Sequence, residues 1–230
     1  MLRNLFASVL YHLVIALRVR SEVLFRLSTK EDLALLIKAG KGYLIPEGWL
    51  NSFNKSKSVD VNDLPLPWMT YSFIDFFKSR SVSANSLFEY GSGNSTLFFE
   101  KFTSKVEAIE HNEDWFRLVE KKISDQSRLR LVPLDNAFTY AKSIHFSGDS
   151  FDIIIVDGEE RVKCIKESEK ALAEGGVIIL DDSERLEYQK GIDFLLQKGF
   201  KCLEFWGLAP GINYKKCTSV YYRDFNCLDI

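Results

Sequence analysis

Several things are scarce in this 230-residue chain, and each scarcity counts against a class of protein. The uncharged run at residues 4–17 is shorter than the ~20 residues a membrane-crossing helix needs. No small-residue cleavage site follows it; Arg18, Val19, Arg20, Ser21 and Glu22 do. Cysteine is limited to Cys164, Cys202, Cys217 and Cys227, with no C-x-x-C pair. Histidine is limited to His12, His111 and His145, so no zinc-type cluster can be drawn. The thiols read as small buried hydrophobes in a reducing, cytoplasmic setting rather than as a disulfide framework. An excess of one charge is also missing: 30 basic against 32 acidic side chains leave a net charge of −2. A protein that binds by neutralising phosphates would be more basic, so no nucleic-acid partner is expected. Internal repeats are absent too.

What is present is a core's worth of apolar residues, 46% of the chain. Leu2, Leu5, Phe6, Val9, Leu10, Leu13, Val14 and Leu17 recur at steps of three and four, one stripe of a helix. This amphipathic helix is read as packing on its own domain or on a partner subunit, which also suits a homodimer. A peripheral membrane contact helped by Arg3, Arg18 and Arg20 is the second reading, and a cleaved signal the third. A helix over residues 29–39, a polar loop over 51–63, an extended Leu-Pro-Leu-Pro stretch at 64–67 and a helix over 69–77 come next. The domain boundary is placed near Ser81, giving a helical extension at 1–80 that covers an acceptor pocket and a main domain at 81–230.

Beyond that boundary, strands alternate with helices. Strands are predicted over residues 86–90, 105–111, 129–134, 151–156, 177–180, 200–205 and 219–223, with Gly175-Gly176 stopping a helix and 207–216 a loop. Phe151 to Val156 is almost purely apolar, as a strand buried on both faces must be. The pattern implies a doubly wound α/β protein whose ligand sits at the carboxyl ends of the strands.

The first strand ends in Glu89-Tyr90-Gly91-Ser92-Gly93-Asn94-Ser95-Thr96, a glycine turn that lets backbone N–H groups approach a ligand. Glu110 ends the second strand about 20 residues later, where a carboxylate accepts hydrogen bonds from ribose hydroxyls. Its alternative role is to cap the helix that starts near Asn112. The fourth strand ends in Asp157-Gly158-Glu159-Glu160-Arg161 and the fifth in Asp181-Asp182-Ser183. Three converging aspartates need a cation, an arginine or shared protons to offset them. They read as a divalent-metal site or as a general base beside a bound donor. Against this stands a plainer reading, in which Asp182 or Ser183 caps a helix and Asp157 only orients its loop.

These segments, in this order and spacing over residues 81–223, resemble the motifs of class I S-adenosylmethionine-dependent methyltransferases. The resemblance implies a Rossmann-like, mostly parallel seven-stranded sheet with its last strand antiparallel. It implies that Glu89, Gly91, Ser92 and Gly93 line the methionine part of S-adenosyl-L-methionine, with Glu89 near the ammonium group. Glu110 would hold the ribose, His111 the adenosine, and Asp135 with Asn136 the adenine. Ser95 stands where the family often has a third glycine. Asp157, Asp181 and Asp182 are similar by position to the Mg²⁺ ligands of catechol-type O-methyltransferases, although Asp-Asp replaces Asp-Asn.

The expected activity is therefore O-methylation of a small hydroxylated acceptor, a sugar or a phenolic metabolite. Asp157 is the expected base, with His145 as a second candidate. Arg161 is expected either to bind an anionic acceptor group or to pair with Glu160 or Asp182. Trp68, Tyr71 and Trp49, with Trp206 opposite, are expected to line the acceptor pocket unless they are core. A nicotinamide oxidoreductase is disfavoured by the missing third glycine. The alternative that stays open is a non-catalytic nucleoside-binding or assembly module on the same fold.

Overall fold

The computed structural model describes residues 42–80, 84–135, 137 and 139–230. The striped N-terminal helix, with its membrane and dimer readings, the helix at 29–39, the boundary near Ser81 and Asn136 all lie outside the described residues. The chain falls into two units, Met1–Pro46 and Glu47–Ile230, and every described helix and strand lies in the second.

Two helices lead in, α1 (Trp49–Lys55) and α2 (Tyr71–Ser79). The alternating part runs β1 (Ser86–Tyr90), α3 (Asn94–Phe99), β2 (Lys105–Glu110), α4 (Glu113–Glu120) and β3 (Ser127–Leu131). It continues through α5 (Thr139–Lys142), a 3₁₀ turn (Ser143–His145), β4 (Phe151–Val156), α6 (Arg161–Ala171) and β5 (Leu172–Asp181). A second 3₁₀ turn (Leu186–Tyr188), α7 (Gln189–Gln197), β6 (Lys201–Gly207) and β7 (Lys216–Tyr222) complete it. The strands form one seven-stranded sheet in the order β3-β2-β1-β4-β5-β7-β6. β7 runs antiparallel to both of its neighbours, and the other pairings are parallel.

Strand alternation feeds two cores. Phe88, Tyr90, Ile154, Val156, Ile178 and Leu180 face one side and meet Tyr140, Cys164, Ile165 and Leu195 from α5, α6 and α7. Leu87, Ile153, Ile155, Val177 and Ile179 face the other side and meet Phe73, Ile74 and Phe77 of α2 with Phe98 and Phe99 of α3. Strands covered on both faces have no polar face to show, which is why they read as unbroken apolar runs. Thr70 caps α2, its hydroxyl accepting from the Phe73 N–H at 3.4 Å and donating to the Phe205 carbonyl at 3.0 Å.

Three local expectations need correction. The polar stretch at 51–63 begins as helix: α1 buries only Ser52, so its sequence lacks an apolar stripe. The glycines at 175 and 176 do not stop a helix. α6 ends at Ala171, and Gly175, at φ +72°, lies inside β5 near a register shift in the β4–β5 pairing. β7 begins at Lys216, not at Ser219, so the end of the predicted loop is strand.

Candidate functional site

The carboxyl ends of β1, β4 and β5 share one edge, and the reversed strand β7 contributes its first residues to it. β1 and β4 are clasped there by the Asp157 N–H donating to the Tyr90 carbonyl at 3.1 Å. Gly91 turns at φ +92°, and a Cβ on it would lie 3.3 Å from the Asp157 carbonyl and Gly158. The turn is pinned by Thr96, whose hydroxyl accepts from Gly93 N–H at 3.0 Å and donates to Glu89 Oε2 at 2.6 Å. Glu89 is 1% exposed, and its Oε1 has no hydrogen-bond partner. Burial pushes its carboxyl up to about 8, against the pull of the Ser95 and Thr96 hydroxyls.

Glu110, also buried, accepts the His111 and Asn112 N–H groups on Oε1, both at 2.9 Å, and the Ser92 hydroxyl on Oε2 at 3.1 Å. The cap of α4 is Asn112 itself, which accepts from the Trp115 N–H at 2.9 Å. His111 Nδ1 lies 3.2 Å from Glu110 Oε1, and its ring stands edge-on to Tyr140. Asp135 is exposed and accepts from the Thr139 N–H at 2.9 Å. His145 is drawn away from the edge, its Nε2 2.9 Å from Glu167 on α6.

A cleft of about 550 Å³ opens along the edge. Ser92, Gly93 and Asn94 of the turn line one part, beside Trp115, whose indole N–H donates to the Ser92 carbonyl at 2.7 Å. Asp157, Asp181, Asp182 and Lys216 line another, with Trp68 and Tyr214. Of the aromatics expected here, Trp68 arrives, its indole N–H donating to the Pro210 carbonyl at 2.9 Å. Tyr71 is core, 2% exposed. Trp49 stacks on Phe53, and Trp206 lies under Lys215, neither of them lining the cleft.

The aspartates are not left to an ion. Lys216 Nζ lies 2.5 Å from Asp181 Oδ2, 2.7 Å from Asp182 Oδ1 and 3.0 Å from the Trp68 carbonyl. Thr218 donates to Asp181 Oδ1 at 2.6 Å. Arg185 and Arg161 stand 2.7 and 3.5 Å from Asp182 Oδ2, and Arg161 also reaches Asp157 Oδ1 at 3.1 Å. Burial would lower the Lys216 ammonium, but Asp181, Asp182 and Asp157 outweigh it and hold it raised. Burial and Asp157 push Asp181 up to about 7 against Lys216. Arg161 thus forms the expected pair with Asp182, and Asp182 caps no helix. The donor set does not fit Mg²⁺: the oxygens of Asp181 and Asp182 that a cation would need already lie against the cationic groups of Lys216 and Arg185 or the Thr218 hydroxyl. No group of acidic, histidine or cysteine side chains among the described residues is arranged to hold a metal. Lys216 does not stand out in the sequence, because it closes a stretch that reads as loop and follows no strand.

No family model matches the chain, and no curated protein does. Solved structures do match. A precorrin-6y C5,15-methyltransferase from Geobacter metallireducens superposes with a TM-score of 0.51 at 13% identity, over 66% of this chain and 87% of that one. A precorrin 8w decarboxylase from Methanobacterium thermoautotrophicum superposes at 0.50 and 18%, over 73% and 96%. An rRNA methylase from Streptococcus thermophilus reaches 0.49 at 16%, over 64% and 92%. With the strand order, the reversed β7 and the glycine turn after β1, the chain has the class I S-adenosylmethionine-dependent methyltransferase fold.

Proposed function

We propose that this protein is an S-adenosylmethionine-dependent methyltransferase acting on a hydroxyl of a small acceptor, a sugar or a phenol. One observation carries the reading: of the six carboxylate oxygens of Asp157, Asp181 and Asp182, only Asp157 Oδ2 meets no donor or cation among the described residues, and Asp157 lines the cleft beside the glycine turn. Bound S-adenosylmethionine supplies an electrophilic methyl carbon. The residues here suit its ammonium end, because Oε1 of Glu89 is buried without a hydrogen-bond partner, and an ammonium beside it would supply the donor and favour the ionised carboxylate.

The protein's part is alignment and proton removal. Asp157 takes the acceptor's proton on Oδ2. Burial raises its carboxyl above the ordinary range, strengthening it as a base, while Arg161 and Lys216 limit the rise. Arg161 holds the carboxylate in one orientation through Oδ1. Trp68 closes over the acceptor's apolar body.

Four free thiols suit a cytoplasmic protein, and no described helix is long and apolar enough to cross a membrane. Calorimetric titration of S-adenosylmethionine and S-adenosylhomocysteine, then radiolabelled methyl transfer to a panel of hydroxylated small molecules and RNA, tests the proposal. Micromolar donor binding and transfer to a small hydroxyl are expected. Absence of donor binding, or transfer to RNA alone, overturns it.

A further inference from the structure

At the strand-end edge three carboxylates meet three cations. Asp157, Asp181 and Asp182 are matched by Arg161, Arg185 and Lys216, so no net negative charge remains to draw a divalent ion. We propose that the Lys216 ammonium is the resident counter-ion of Asp181 and Asp182, filling the position a divalent cation would need between them, so that this edge works without a metal.

The geometry supports a permanent tenant. The Lys216 ammonium donates to Asp181 Oδ2 and to the Trp68 carbonyl, and it lies 2.7 Å from Asp182 Oδ1 as an ion pair. The residue is 4% exposed, so it has little freedom to swing out. Mg²⁺ needs its oxygen ligands at about 2.0–2.1 Å in near-octahedral array. An ion that close to these same oxygens would collide with Nζ, 2.5 Å from one and 2.7 Å from the other. Asp181 Oδ1 is held by Thr218 and Asp182 Oδ2 by Arg185, so neither carboxylate is free to turn toward a second position. Lys216 is thus a positioning residue. It fixes the two carboxylates and, through the Trp68 carbonyl, the cover of the cleft.

Mn²⁺ binding followed by electron paramagnetic resonance tests this without any reference to turnover, so its outcome is separate from that of methyl transfer. The wild-type protein is expected to leave Mn²⁺ free up to millimolar concentration. Lys216→Ala is expected to bind it at least about tenfold more tightly, with the gain lost in Lys216→Ala/Asp182→Asn. A folded Lys216→Ala with no gain overturns the proposal. So does a wild-type site that Asp182→Asn removes. Removing one partner of a buried pair is strongly destabilising, so Lys216→Arg is made alongside. It is expected to fold and to ignore Mn²⁺, and Mn²⁺ binding by it overturns the proposal where Lys216→Ala does not fold.

Discussion

One guanidinium nitrogen of Arg161 lies 3.2 Å from the Asp157 carbonyl and 3.1 Å from Asp157 Oδ1, tying backbone and carboxylate together. The same side chain reaches the Gly158 carbonyl through Nε at 2.8 Å and the Asp181 carbonyl at 2.6 Å. Arg161 therefore binds the ends of β4 and β5 to each other, and Oδ2 is what the arrangement leaves open. Asp157→Asn keeps the shape and the Oδ1 acceptor but removes the base. Turnover should fall by about 10²–10⁴-fold, with the donor dissociation constant unchanged. Calorimetry and steady-state rates check this; equal turnover would take Asp157 out of the mechanism.

Glu89 gives the fold a pH dependence. Its carboxyl rises from an ordinary 4.5 to about 8, chiefly by burial. Between those values the folded state holds a proton that the unfolded state has lost, so this group costs stability progressively as pH rises from 4.5 to 8. Glu89→Gln carries no such charge. It should gain stability over the wild type by on the order of a few kcal/mol at pH 8 relative to pH 5. Urea denaturation at both values measures the difference, and a gap that does not change with pH would refute the assignment.

The parts of the site that are legible in the sequence are those in which chain order and spatial order agree. β1, β4 and β5 run the same way, so Gly91, Asp157 and Asp181 each sit at or just past a strand's end and meet at one edge. β7 runs the other way, which brings to that edge residues that the chain order places after a loop. Thr218 pairs in register with Asp181, and Lys216, two residues earlier, points to the same side. A search confined to residues after strands passes over both. Arg161 reads in the sequence as a partner of Asp182, but Arg185 and Lys216 are hidden for a related reason. Convergence of like charges signals that a counter-ion exists but not whether the chain supplies it.

Gly158 has no room for a side chain. A Cβ there would fall inside the Tyr140 hydroxyl and 2.9 Å from the Gly91 nitrogen, where the turns after β1 and β4 cross. Gly158→Ala should destabilise by about 1–3 kcal/mol, as overpacking does. Tyr140→Phe in the same chain removes the oxygen but not the backbone contact, so it should restore part of that loss. Chemical denaturation of the single and double variants reads it out; strictly additive effects would mean that the two residues do not press on each other.

Two tryptophans divide the cleft. Trp115 is tied to the glycine turn through the Ser92 carbonyl, and its ring lies 3.5 Å from where a Gly93 Cβ would be. Trp68 is tied to the opposite elements. Its indole donates to Pro210 and its carbonyl accepts from Lys216. Replacing Trp68 by Ala leaves the carbonyl and the Lys216 contact in place, so the loss is confined to the ring. If donor and acceptor occupy these two ends, Trp115→Ala should weaken donor binding about tenfold, roughly 1.4 kcal/mol, with acceptor KM unchanged. Trp68→Ala should raise acceptor KM by a similar factor with donor affinity unchanged. A crossed result, in which Trp68→Ala weakens the donor and spares the acceptor, would reverse the assignment of the two ends and move the reacting hydroxyl away from Asp157.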